Sequence, residues 1–120
     1  HGSGALAEVA DGCNNGAFIA GPRTRDWQGV DFAASSIVLT ASDVTGHGSA
    51  LAQGSGRAIL DGDPLAAVVM LANAQPPGRG LRAGDVVTTG SCTGAPRLPG
   101  AGRYRADFAG LGQIELLIEA

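Results

Sequence analysis

Glycine sets the terms for this chain: 20 of its 120 residues are Gly, more than twice the usual share of roughly 7%. Glycine weakens helix and strand interiors and admits backbone shapes closed to other residues, so the sequence calls for short elements, many turns and bulges. Aromatic residues are 4% of the chain against 44% hydrophobic overall, which leaves the core to Ala, Val, Leu and Ile. At this length one domain is expected, burying about two thirds of its unfolded surface.

Charge removes several classes of function. All eight basic residues are Arg and none is Lys, so lysine Schiff-base and general-base chemistry cannot come from these residues. A net charge of -3 argues against a nucleic-acid footprint. The longest apolar run, residues 64–72, is well short of the roughly 18 residues of a membrane span. No membrane association is expected, and a soluble, cytoplasmic protein is. Cys13 and Cys92, 79 positions apart with no second Cys or His at zinc-ligand spacing, read as reduced thiols rather than a disulfide. His1-Gly2-Ser3-Gly4 lacks the basic and apolar regions of a signal peptide and reads as a cloning scar. Residues 5–120 then form a single domain, and the Ala, Gly and Arg bias fits a high-GC bacterium.

Along the chain, residues 5–10 form an apolar run before the turn formers Asp11-Gly12-Cys13-Asn14-Asn15-Gly16, which reads as strand and loop. Residues 17–20 are again apolar and stop at Gly21-Pro22. Ser36-Ile37-Val38-Leu39-Thr40 is β-branched enough for a strand, residues 42–46 make a turn, and residues 49–56 return antiparallel, with Gly54 and Gly56 marking close backbone approach or bulges. Asp63-Pro64 opens a helix of about 63–74, Asp as N-cap and Pro at the first helical position. Leu65, Val68, Val69 and Leu71 give it an apolar face expected to pack on a sheet, and Gln75-Pro76-Pro77-Gly78 ends it. Residues 81–85 turn into a strand at 86–89. A second hairpin joins 103–108 to 113–119 through residues 109–112. The sum is a β-rich α+β domain with one main helix and six or seven strands.

Candidate chemistry lies in the loops: Asp11, Cys13, Asn14, Asn15, His47, Ser91, Cys92 and Thr93. Gly90-Ser91-Cys92-Thr93-Gly94 is not a nucleophile elbow, because Cys92 rather than Ser91 holds the central place. A Cys92 nucleophile would need His47 as partner. The stronger reading is a backbone one: flanking glycines let the N–H groups of Ser91, Cys92 and Thr93 point one way, toward a carboxylate or enolate oxygen. Asp61 and Asp63 have Asp-x-Asp spacing, but as the lead-in to Pro64 they read as turn and cap, and no bound metal is expected at them. Gly54-x-Gly56 lacks the following Gly-x-x-Gly helix start of a phosphate loop, so Arg57 reads as a surface residue.

Taken in order, these motifs resemble a known group. Val9-Ala10-Asp11-Gly12-Cys13-Asn14-Asn15-Gly16-Ala17-Phe18-Ile19-Ala20-Gly21 is similar to the Ala-Asp-Asn-x-Ser-x-Gly-x-Phe-x-x-Gly segment of the 2-keto-4-pentenoate hydratase and oxalocrotonate decarboxylase group, within the fumarylacetoacetate hydrolase superfamily. Gly54-Ser55-Gly56-Arg57-Ala58-Ile59-Leu60-Asp61-Gly62-Asp63-Pro64 resembles its Gly-x-Gly-x-x-Val-Leu-Gly-x-Pro element, and Leu71-Ala72-Asn73 its Trp-Leu-Ala-Asn helix end. Gly80-Leu81-Arg82-Ala83-Gly84-Asp85-Val86-Val87 with Thr89-Gly90-Ser91 is the most specific match, and Phe108-x-Gly110-Leu111-Gly112 closes it. The likeness runs from Leu6 to Glu119 and corresponds to the C-terminal half of such proteins. It departs at Gly12, where the group has Asn, and at Asn14, where it has Ser.

The resemblance implies a mixed β-roll or barrel whose Asp11 and Ser91-to-Thr93 loops lie side by side at the substrate cleft, bringing Cys13 near Cys92. It implies a carbon–oxygen lyase, hydratase or decarboxylase-like, acting on a 2-oxo (dienol) acid. Asp11, Asn14 and Ser91 would then orient substrate, with Asn15, Cys92 and Thr93 also binding it, and Asp11 or His47 is the catalytic acid or base if the chain works alone without a metal. In the group, acidic ligands for Mg or Mn, a lysine and an aspartate come from the other half. This chain is therefore expected to hold no cofactor of its own and to act with a complementary N-terminal-half chain or as a homo-oligomer. Two rivals stand beside this: a metal-independent cyclase or isomerase of a biosynthetic pathway, and a non-catalytic binding or assembly subunit.

Overall fold

The computed structural model describes residues 16–42 and 48–119. Its centre is an antiparallel sheet of four strands in the order β2-β1-β3-β4. β1 (Ser36–Ser42) and β2 (Gly48–Ser55) form one hairpin, β3 (Gly102–Phe108) and β4 (Gly112–Ile118) the other, and β1 pairs with β3 to join them. The β1–β2 register slips between Leu39 and Thr40, so Leu51 is an extra residue on β2. That bulge falls on a leucine rather than on either glycine of the strand.

Alternation sorts the sheet into two faces. Ile37, Leu39 and Ala41 lie beside Phe108, Ala106 and Tyr104, and these lie beside Gly112, Ile114 and Leu116. This face is apolar. The opposite face carries Arg103, Arg105, Asp107, Gln113 and Glu115, with an Arg105–Asp107 ion pair at 2.8 Å between two exposed side chains. Burial on the apolar face is thin. Ile37, Ile59 and Tyr104 are the buried apolar residues among those described, and most of their neighbours are half-buried. Tyr104 is fixed at its far end, where its hydroxyl donates to the Gly100 carbonyl.

The β3–β4 turn follows the sequence reading, with Gly110 at φ 79 and Leu111 N–H donating to Phe108 at 3.0 Å. The Ser35 hydroxyl donates to Ala109 at 2.7 Å, tying the entry of β1 to that turn. After β2 the chain makes two 3-10 turns, Gly56–Ala58 and Leu60–Gly62, and enters the helix α1 (Pro64–Asn73). Asp63 caps α1, its carboxylate accepting from Leu65 N–H at 2.9 Å. Both Asp63 and Pro64 thus act as their positions suggest.

The β-rich α+β class and the single main helix are as expected, and four points differ. Among the described residues the sheet is open, with β2 and β4 at its edges, and does not close into a barrel. Four strands are present among the described residues rather than six or seven. Residues 86–89 join no ladder among the described residues: β-branched side chains favour an extended backbone, but a strand also needs a neighbour to pair with. Finally, α1 does not lie on the sheet: its neighbour is the turn Leu60–Gly62. The expected strand at residues 5–10 and turn at 42–46 fall wholly or mostly outside the described residues. No helix among those described is long and apolar enough to cross a membrane.

Candidate functional site

The site begins with two glycines that tolerate no side chain. A Cβ on Gly54 would overlap the Cys92 carbonyl oxygen and lie 2.7 Å from its carbonyl carbon and 3.3 Å from Thr93 Cα. One on Gly56 would lie 2.8 Å from the Phe32 carbonyl carbon and 3.0 Å from Pro64 Cδ. Gly-x-Gly at the end of β2 is therefore a seat for two other stretches of backbone. One is the turn at residues 31–35, tied by Gly56 N–H to Ser35 at 3.3 Å and Arg57 N–H to Ala33 at 3.0 Å. The other is the loop at 90–94.

That loop is shaped by its own glycines, Gly90 at φ 122 and Gly94 at φ 72, values that L side chains rarely adopt. Gly90 also rests on the buried Ile59, whose Cδ1 would be 3.2 Å from a Cβ at position 90. The Ser91 hydroxyl donates to the Gly94 carbonyl and closes the loop on itself. Among the described residues the N–H groups of Ser91, Cys92 and Thr93 donate to no backbone carbonyl. Ser91 is exposed, Cys92 and Thr93 half-buried. Cys92 is a free thiol and burial raises its pKa, which disfavours the thiolate and with it nucleophilic chemistry.

Ser91, Cys92 and Thr93 thus lie in one loop seated on Gly54. Asp11, Asn14, Asn15, His47 and Cys13 lie outside the described residues, and so does any juxtaposition of the residue 11–16 loop with this one. Two cavities of about 410 Å³ lie elsewhere: one beside Phe108, Gly110 and Gln113, the other beside Ser42, Gly102 and Tyr104. Sequence reading missed the part played by Phe32 and Ile59 in fixing the site. Nothing marked them out, because contact with a distant glycine leaves no local pattern.

The seat, the glycine-bracketed loop and the capped helix that follows β2 define a β-rich α+β domain with a polar loop anchored on a strand end. Comparison places it among known proteins. The chain is 36% identical over 107 residues to a 2-keto-4-pentenoate hydratase of Paraburkholderia phymatum, which covers 88% of this chain and 38% of the relative. It is 37% identical over 107 residues to one of Burkholderia vietnamiensis, with the same coverage. It is 32% identical over 110 residues to 2-keto-4-pentenoate hydratase 2 of Dechloromonas aromatica, covering 91% of this chain and 40% of the relative. The chain is therefore a homologue of the 2-keto-4-pentenoate hydratases over the matched segment, consistent with their C-terminal half. It spans about two fifths of the length of these relatives. No family model matches the chain, and no solved structure matches it significantly.

Proposed function

We propose that this chain is the substrate-orienting part of a hydratase or decarboxylase-like lyase of the fumarylacetoacetate hydrolase superfamily, acting on a 2-oxo (dienol) acid and completed by further hydratase polypeptide. The observation that supports it most is the close seating of the Cys92–Thr93 backbone on Gly54, in a loop where the Ser91, Cys92 and Thr93 N–H groups donate to no backbone carbonyl among the described residues. Water addition or decarboxylation next to a 2-oxo group moves negative charge onto that oxygen. Donors fixed beforehand stabilise this charge, because they need not reorganise as it develops.

In this reading the Ser91, Cys92 and Thr93 amides hold the carboxylate or enolate oxygen, and Asn14 and Asn15 add side-chain amides. Asp11 accepts and returns the proton, with His47 the other candidate. The Cys92 thiol serves as a weak donor. With no lysine in the sequence, a lysine-borne proton step belongs to the completing polypeptide, which is either a complementary chain or a partner within a homo-oligomer. Among the described residues no three His, Cys, Asp or Glu side chains converge to hold a metal ion. They do not by themselves fit Mg or Mn, so the acidic ligands for such an ion are assigned to the partner.

The test is reconstitution. The chain is co-expressed with the portion of a hydratase relative that lies outside the match, and the ultraviolet absorbance of 2-keto-4-pentenoate is followed as water adds. Turnover that falls at least tenfold in Asp11→Ala and Ser91→Ala supports the reading; turnover unaffected by either change, or none from a complex that forms, overturns it.

A further inference from the structure

The ten residues of α1, Pro-Leu-Ala-Ala-Val-Val-Met-Leu-Ala-Asn, include no charged side chain, and Asn73 alone is polar. A helix that is apolar all round is one that is covered on every side. Here one side is open: Leu65, Val69 and Met70 are 43%, 58% and 54% exposed, and Leu60 in the preceding turn is 50% exposed. At about 100° per residue, Leu65, Val69 and Met70 fall within one arc of the helix, opposite the half-buried Ala67, Val68 and Leu71. Ten residues span about 15 Å, half the hydrocarbon thickness of a bilayer, so the missing cover is not lipid crossed by this helix.

The relatives carry further polypeptide that can supply this cover. They are about 2.5 times longer than the chain, which spans 38–40% of each. Residues 86–89 show the same shortfall a second time: they are rich in β-branched residues, pair with no strand among those described, and leave Val86 69% exposed. We infer that the Leu65–Val69–Met70 face of α1, with Leu60, is the docking surface for the remaining three fifths of a 2-keto-4-pentenoate hydratase fold. The inference rests on the proposed function in its choice of partner and names the surface that receives it. Charged residues are absent from the patch, so the matching surface on the partner is apolar too.

The test reads association rather than turnover. A tagged chain is co-expressed with the unmatched portion of a hydratase relative, so that neither has to fold alone, and the purified material is sized by sedimentation. A one-to-one complex is expected, weakened at least tenfold by V69D and unaffected by L117D on β4. Should V69D lose helix by circular dichroism, M70Q decides in the same way. No complex, a complex indifferent to both changes on α1, or a dimer of this chain that they dissolve would each overturn the inference. A complex that forms as expected but turns over no substrate leaves the docking surface standing and overturns the proposed function alone.

Discussion

The carbonyl group of Cys92 rests directly on the α-carbon of Gly54, joining a loop to a strand end 38 positions earlier in the chain. Backbone against backbone leaves room for hydrogen and nothing larger. Gly54→Ala must displace either the loop or the strand, and misfits of this kind cost about 1–3 kcal/mol. Urea denaturation of G54A should show a loss of that size, with faster labelling of the Cys92 thiol as the loop lifts. Stability and labelling both equal to the parent would contradict the contact.

Asp61 is the one described residue other than glycine in the left-handed region, at φ 57 and ψ 13. That conformation costs an L residue about 1–2 kcal/mol, Asp being among the better tolerated. Asp61→Gly should therefore be neutral or stabilising by up to about 1 kcal/mol, after allowance for the freer unfolded chain, and Asp61→Val destabilising by about 1–2 kcal/mol. Equal melting temperatures for the two variants would refute the assignment.

The Asp63 carboxylate occupies the free N–H of Leu65. Asp63→Ala should cost about 1 kcal/mol and Asp63→Asn much less, because an amide oxygen caps nearly as well. Helical circular dichroism through a denaturant titration distinguishes them.

Burial raises the Cys92 pKa, and this has a pH signature. A raised pKa means that folding favours the protonated thiol. Its contribution is complete below the unfolded-state pKa and is lost as pH rises through the folded one. The effect on stability is small for so accessible a group. Alkylation by iodoacetamide is the better readout: its rate should rise with a midpoint above that of the unfolded chain, and a midpoint at or below it would contradict the burial.

The sequence made both hairpins, the helix and its cap legible because each carries a local signal. Alternation marks residues 103–108 and 113–119, and Asp63-Pro64 marks a helix start. It misled at residues 86–89 and on the cover of α1, where the deciding quantity is what lies next to a segment. Val86-Val87-Thr88-Thr89 has strand propensity with no strand beside it among the described residues, and the apolar residues of α1 showed that it wants covering without showing by what. For the site, glycine spacing correctly announced close backbone approach at Gly54 and Gly56, yet the partners, Cys92 and Phe32, lie too far along the chain to be read from it.

The central claim is that the Gly54-anchored loop belongs to a 2-oxo acid site, and amide NMR during a titration with 2-oxopentanoate tests it most directly. The claim predicts that the largest shifts fall on Ser91, Cys92 and Thr93, that Gly54 and Gly90 follow, and that acetate, which lacks the 2-oxo group, moves them far less. Shifts confined to the cavities around Phe108 or Tyr104, or an equal response to acetate, would contradict it.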